Sequence, residues 1–360
     1  MSEPLLELPC IECGGDPRAL GRAQGEALRE LIRAFVDQRM RALSLYFAER
    51  GQTARVAEFE AAGRACLVAA ERWDAEGTAE HRGIAEAAGV DAATLYATAN
   101  MTDVRDVLLL PSAADAEGCT SLLVPAQMTA GRKLLAAQTW DLNPDDLDFV
   151  VAIHRRPTAG PETWSVTCAG ALSLVGMNGD GVAVGTTNIK TRASRPGVGY
   201  LTILHRAIRS RTRAEALEAL RAAPRAAAHT YWVADSNQAS ELETDPEAIV
   251  EQPLRAEPIV QTNHCQAPEL VTREGEAAST SSQRRLARTR ALLAQGDLDV
   301  SAIQRLFADR ADGVDSINRR AEDAQGTTTN ACLVCVPADR ELWACRGPAD
   351  RGRWVRLQFG

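Results

Sequence analysis

In the stretch DAEGCTSLLV, residues 115 to 124, one cysteine of nine follows an acidic pair and a glycine. It precedes two hydroxyl residues and an apolar run. A thiol in this place can attack the carbonyl of the peptide bond before it, giving a thioester that water then hydrolyses. Gly118 helps, because a residue without a side chain permits the strained backbone that such an attack needs. The cut would leave Cys119 with a free α-amine, whose unperturbed pKa of roughly 7.7–8.0 suits a base near neutral pH. One residue would then supply both nucleophile and base, a task handled elsewhere by a Cys–His or Ser–His pair. The competing reading is a buried structural thiol at the start of a strand.

The elements around Gly118-Cys119 bear on that choice. Residues 16 to 110 read as helical, opening on Asp16 and Pro17 as an N-cap and first-turn pair. Leu28, Leu31, Ile32, Phe35 and Val36 recur at helical spacing. PSAADAEG, residues 111 to 118, breaks the pattern as a loop. From residue 119 the texture changes to short apolar or alternating runs, with a hairpin expected around Asn178-Gly179 or Asp180-Gly181. Helices return at 199–222, 281–295 and 300–309, with strands between and after them. Strands grouped with strands predict antiparallel sheets with helices outside, an α+β chain rather than alternating βα units. The boundary between the two textures falls at Gly118-Cys119 itself.

Composition bounds the function. A net charge of −8 argues against nucleic acid as a partner. The chain has no eighteen-residue uncharged apolar run and its start has no signal-peptide pattern, so the expectation is a cytoplasmic protein without a membrane span. Nine cysteines fit reduced thiols better than a disulfide framework. Cys332 and Cys335 (CLVC), with Cys10 and Cys13 (CIEC), form the one set that could hold zinc or respond to redox. It lacks a nearby His pair or a ribbon pattern, so no metal and no cofactor is expected.

Further along stand AAQTWDLN ending in Trp140-Asp141, GMNGDG at 176–181, TNHC at 262–265 and SSQRRLARTRALL at 281–293. The order and wording of these segments resemble the acyl-coenzyme A:6-aminopenicillanate acyltransferase family of N-terminal nucleophile hydrolases. GDPRALGRAQGEALRELI is similar to the family's N-terminal stretch, GCTS to its autoprocessing site, and YWVADSNQASELE to its strand pair ending in glutamate. NACLVCVPADRELWACRG resembles its closing hairpin. The resemblance implies a four-layer αββα fold with a helical N-terminal segment. Residues 1–118 would become a small chain wrapping the catalytic chain 119–360.

It also implies roles. Cys119 would be the nucleophile and its freed amine the base, with Asp141 positioning that amine. Asn263 would offer its side-chain amide to the oxyanion, and Asn178 would line the same hole through its backbone. Arg285, or Arg284 one register away, would be the arginine near the nucleophile, with Ser281 or Ser282 close by. Where asparagine is expected before the Trp-Asp pair, this chain has Gln138-Thr139. Each residue has a plainer reading. Asp141 could be a turn acid, Asn178-Gly179 a type I′ turn, and Asn263 the end of a strand. His264 reads as structural.

The expected activity is hydrolysis of a small linear amide through a thioester on Cys119, water being the acceptor always present. An amine or coenzyme A acceptor would make the same site an N-acyltransferase, and an uncleaved ligand-binding protein is the reading from another class. Expected partners are the amide substrate and the chain's own N-terminal fragment; a homo-oligomer stays open. Trp140, Trp164, Tyr200, Tyr231 and Trp232 are candidate pocket aromatics.

Overall fold

The structure is a computed structural model that describes residues 4–110, 118–294, 296–323 and 326–360. The loop expected at 111–118 therefore lies outside the described residues except for Gly118, as does residue 295, the last of the helix expected at 281–295.

The first element is a strand, β1 (Cys10–Gly15), which ends just before the stretch expected to be helical from 16 onward and which the expected helical N-terminal segment 1–118 did not include. Six helices follow: α1 (Pro17–Ala27), α2 (Arg29–Ala48), α3 (Arg55–Trp73), α4 (Ala75–Ala88), α5 (Ala92–Ala99) and α6 (Met101–Val107). Asp16 caps α1 as its type and place predict, accepting the Ala19 N–H at 2.8 Å, with Pro17 in the first turn.

Then come β2 (Gly118–Val124), β3 (Leu135–Leu142), β4 (Val150–Pro157), β5 (Thr163–Cys168), β6 (Val175–Asn178) and β7 (Ala183–Asn188). Two helices, α7 (Tyr200–Ile208) and α8 (Arg213–Ala222), separate these from β8 (His229–Ala234), β9 (Ala239–Thr244), β10 (Ile249–Pro253) and β11 (Ile259–Gln261). The chain closes with α9 (Pro268–Val271), α10 (Thr280–Leu293), α11 (Val300–Phe307), β12 (Thr328–Val336), β13 (Glu341–Arg346) and β14 (Val355–Leu357).

Among the described residues the strands form two sheets. One runs β1-β4-β5-β6-β7-β8-β9-β10 and the other β11-β2-β3-β12-β13-β14. Every pairing is antiparallel except β1 with β4. Alternation along each strand assigns its faces. Leu123, Ala136, Leu333 and Cys335 of one sheet share a core with Val150, Val166, Met177 and Trp232 of the other. The opposite residues, Leu122, Ala137, Cys332 and Val334, pack under α10 and α11. Val184, Tyr231, Val233 and Leu242 pack under α3, α7 and α8. The layers are thus helix, sheet, sheet, helix, the four-layer αββα arrangement of N-terminal nucleophile hydrolases.

The segment before Gly118 is built into this core. β1 adds an edge to the larger sheet, while Ile32, Phe35 and Leu95 enter the core between the sheets. The glycines of GRAQGEA have a packing cause. A Cβ on Gly21 would lie 1.9 Å from the Glu80 carbonyl oxygen, and one on Gly25 would lie 2.5 Å from that of Ile84. Helices α1 and α4 therefore touch backbone to backbone, and buried Gln24 reaches past them to the Ala171 carbonyl at 3.2 Å.

The cysteine motif is structural in geometry. Cys332 and Cys335 point to opposite faces of β12, so they cannot share a ligand. None of the nine cysteines is paired in a disulfide. Gly21→Ala should lower the stability measured by urea unfolding by about 3 kcal/mol, because the contact it crowds is backbone and cannot move aside; an exposed substitution such as Glu26→Ala should change it by less than about 0.5 kcal/mol.

Candidate active site

Strand β2 begins at Gly118 and lies between β3, which pairs along all of it, and β11, which pairs with Ser121–Leu123 and leads on to Asn263 beside Cys119. Across β3, Gly118 pairs with Asp141 and Cys119 with Trp140. Cys119 and Trp140 thus face the space between the sheets, whereas Gly118 and Asp141 face α10. A Cβ on Gly118 would lie 3.1 Å from both Arg319 Nη1 and Asp141 Oδ2. Glycine leaves that space to the charged pair.

The backbone of Cys119 is gripped at both ends by side chains. Its N–H donates to Asn263 Oδ1 at 2.8 Å, and its carbonyl accepts from Arg285 Nη1. Arg285 also donates to Thr120 Oγ1 at 3.1 Å and, through Nη2, to Asn263 Oδ1 at 2.8 Å. Two donors converging on one end of the Asn263 carboxamide identify that end as its oxygen. Its Nδ2 then donates to the Asn188 carbonyl at 2.9 Å, and the Asn263 N–H donates to Ser282 Oγ at 2.8 Å. Ser282 Oγ also meets His264 Nδ1 at 2.7 Å, which gives His264 a supporting place.

Asp141 is fully enclosed. Arg319 Nε stands 4.0 Å from Oδ2, and Ser281 Oγ links Arg319 to Arg285. Burial pushes the Asp141 carboxyl up to about 6, with Arg319 and then Arg285 pulling it back down. A raised carboxyl is an acid site short of positive charge, which a new ammonium beside it would supply.

The sequence expectations meet this geometry unevenly. Cys119, Gly118, Asp141, Asn263, Arg285, Ser281 and Ser282 come together. The register between the two arginines is settled, since Arg285 is buried on Cys119 while Arg284 is exposed and pairs with Asp315 at 2.7 Å. Asn178 is the correction: the structure does not bring it to Cys119. Its Nδ2 donates to the carbonyls of Ile208 and Ser210, at 2.8 and 2.7 Å, and its Oδ1 accepts from the N–H groups of Asp180 and Val182. Its backbone N–H goes to the Val182 carbonyl. All of its polar groups close the β6–β7 hairpin and tie it to the end of α7.

Asn188, ten residues on at the end of β7, lines the cavity beside Cys119 instead. That cavity holds about 30 Å³ and is also bounded by Gln138, Trp140, Asp141, Thr186, Tyr200 and His229. Gln138, the residue that departs from the family pattern, has its Oε1 held by the Thr186 N–H and Trp232 Nε1, at 2.9 and 2.8 Å. Of the candidate aromatics, Trp140 and Tyr200 reach the cavity; Trp164, Tyr231 and Trp232 do not line it.

Residues 128–351 match the acyl-coenzyme A:6-aminopenicillanic acid acyl-transferase family. The chain belongs to that family. It is accordingly an enzyme of the amidohydrolase/acyltransferase class. The matched span takes in Asp141, Asn188, Asn263, Arg285 and Arg319, and begins after Cys119. Among solved structures, penicillin V acylase from Agrobacterium tumefaciens is similar at 13% identity over 66% of this chain and 86% of that one, with a TM-score of 0.45. A mutant of conjugated bile acid hydrolase from Clostridium perfringens is similar at 9% identity over 67% and 97%, with a TM-score of 0.42. No curated protein matches the chain. Among the described residues, no helix is long and apolar enough to cross a membrane.

Arg285→Ala should cost about 3 kcal/mol in chemical unfolding, since it strands the buried acceptors on Cys119 and Asn263. Arg284→Ala, which loses a half-exposed pair, should cost less than about 1 kcal/mol.

Proposed function

We propose that the chain cuts itself between Gly118 and Cys119 and then hydrolyses a small linear amide through a thioester on Cys119. The observation that carries this reading is the double grip on the Cys119 backbone, by Asn263 Oδ1 and by Arg285, with Asp141 opposite Gly118.

In the first reaction the Cys119 thiol attacks the Gly118 carbonyl. The C–N bond breaks as the C–S bond forms, the thiol proton passes to the departing nitrogen, and water hydrolyses the thioester. The products are a chain ending in the Gly118 carboxylate and one beginning with the Cys119 amine. Because β1 and the N-terminal helices are part of the common core, the two chains stay together. The space beside Cys119 suits a water-sized molecule, so an acyl substrate requires it to widen once the bond is cut.

In the second reaction the freed amine takes the thiol proton and the thiolate attacks the substrate carbonyl. Asn263 Oδ1 continues to accept one amine hydrogen, and Asp141 balances the ammonium while it is protonated. The Asn263 amide carries two hydrogens on Nδ2, one of which goes to Asn188. The other is the proposed donor to the oxyanion, a contact of the kind worth roughly 2.7–4 kcal/mol. The ammonium then protonates the leaving amine, and water attacks the thioester. An amine or thiol in place of that water would give acyl transfer from the same intermediate.

A series of N-acyl-4-nitroanilides of increasing acyl length provides the test. The wild type should release nitroaniline from at least one member and Cys119→Ala from none; equal rates for both would remove the thiol from the mechanism. For the wild type, kcat/KM should rise with pH along a limb at or below about 6, as the Asp141 carboxyl ionises. Asp141→Asn should flatten that limb and lower the rate by about 10²-fold or more.

A further inference from the structure

We propose that a second pocket, at the edge of the larger sheet, binds a small organic ammonium ion. Its floor is β9, where Glu241 and Glu243 share the inward face with core residue Ala239. Its walls are Val250, Glu251, Gln252 and Pro253 of β10, and Gln266, Ala267 and Pro268 after β11. It encloses about 340 Å³, the size of a small-molecule site, and shares no lining residue with the cavity at Cys119.

The two inward carboxylates are treated differently. Glu243 is held by the backbone, each of its oxygens accepting from the N–H groups of Gln266 and Ala267 at 2.9 to 3.1 Å, which opposes the upward push of burial on its carboxyl. Glu251 is occupied by Arg221. Glu241 is only 3% exposed, lines the pocket, and accepts no hydrogen bond from any described residue. Arg290 acts on it only through space, its guanidinium being bound to Gln266 Oε1 at 2.6 Å. Burial, with Glu243 beside it, pushes the Glu241 carboxyl up to about 8.

A buried acid without a donor is costly unless something completes it, and what completes this one is a cation bearing hydrogens. The pocket far exceeds the volume of a metal ion. Among the described residues, no three His, Cys, Asp or Glu side chains are placed to hold a metal. Val250, Pro253, Ala267 and Pro268 offer apolar surface to a short alkyl body. A primary alkylammonium fits both features: N–H donors for Glu241 and Glu243, carbon for the walls. Such an ion is also what amide hydrolysis releases, but binding here does not depend on that reaction.

The probe is n-butylammonium chloride, titrated into the purified protein by calorimetry at constant ionic strength, with n-butanol as the neutral control. Saturable binding with a Kd of about 1 mM or tighter is expected, and none for butanol. Glu241→Gln should weaken binding at least roughly tenfold while keeping or raising the unliganded Tm, because it removes an unpartnered buried acid. Val250→Phe, which fills the pocket and leaves its charge, should abolish binding as well. No saturation up to about 10 mM, or an affinity unchanged in Glu241→Gln or Val250→Phe, would overturn the proposal. Butanol binding as well as butylammonium would also overturn it.

Discussion

The arrangement at Cys119 depends on one oxygen. Asn263 Oδ1 accepts from the Cys119 N–H and from Arg285 together, each at 2.8 Å. Because Arg285 also holds the Cys119 carbonyl, three groups close a ring around a single residue's backbone. Everything behind that ring serves to hold it. Ser282 fixes the Asn263 backbone, α10 brings Ser281, Ser282 and Arg285 to one face by their spacing, and Asn188 takes the other end of the carboxamide. A buried network of this kind is strong only when each member is satisfied, so its geometry constrains the order of the sheet around it. β2 sits between β11, which leads to Asn263, and β3, which carries Asp141 next to its last residue.

The same ring bears on chemistry before and after a cut at residue 118. An amide N–H and an amine N–H make the same bond to Asn263 Oδ1, so the network would survive the change from one to the other. What changes is charge. Asp141, pushed up by burial against the pull of Arg319 and Arg285, is the group that gains most from an ammonium appearing across the strand. Arg319 and Gly118 belong together in this respect, since the glycine leaves the room in which the arginine approaches the acid.

The parts legible in sequence were those written in local pattern. The N-cap of α1, the change of texture at 118/119, the Asn178 hairpin and the serine–arginine face of α10 each follow from residue types at fixed spacing. Asn178 misled because one motif served two readings. Asn178 does open the hairpin turn, though not as the type I′ pair, since within 178–181 only Gly181 has a positive φ, and turn formation is what uses up its hydrogen bonds. Asn188 ends the following strand with no motif of its own; only its place on the sheet brings it to the cavity. Arg319 lies in irregular chain before β12, and no periodicity points to it. β1 has no local signal because CIECGG is poor in strand formers and gains its conformation from pairing with β4, 142 residues on in sequence. Glu241 and Glu243 could be recognised as strand residues, but not as inward-facing ones without knowing which face the second sheet covers.

The central claim is that Cys119 becomes a chain terminus. Intact-mass spectrometry of the purified protein, beside Cys119→Ala, tests it most directly. The account predicts two masses for the wild type, one ending at Gly118 and one running from Cys119 to Gly360, and a single uncut mass for the variant. A single uncut chain in both, in a preparation that hydrolyses its amide, would contradict it, because the amine that serves as base would not exist.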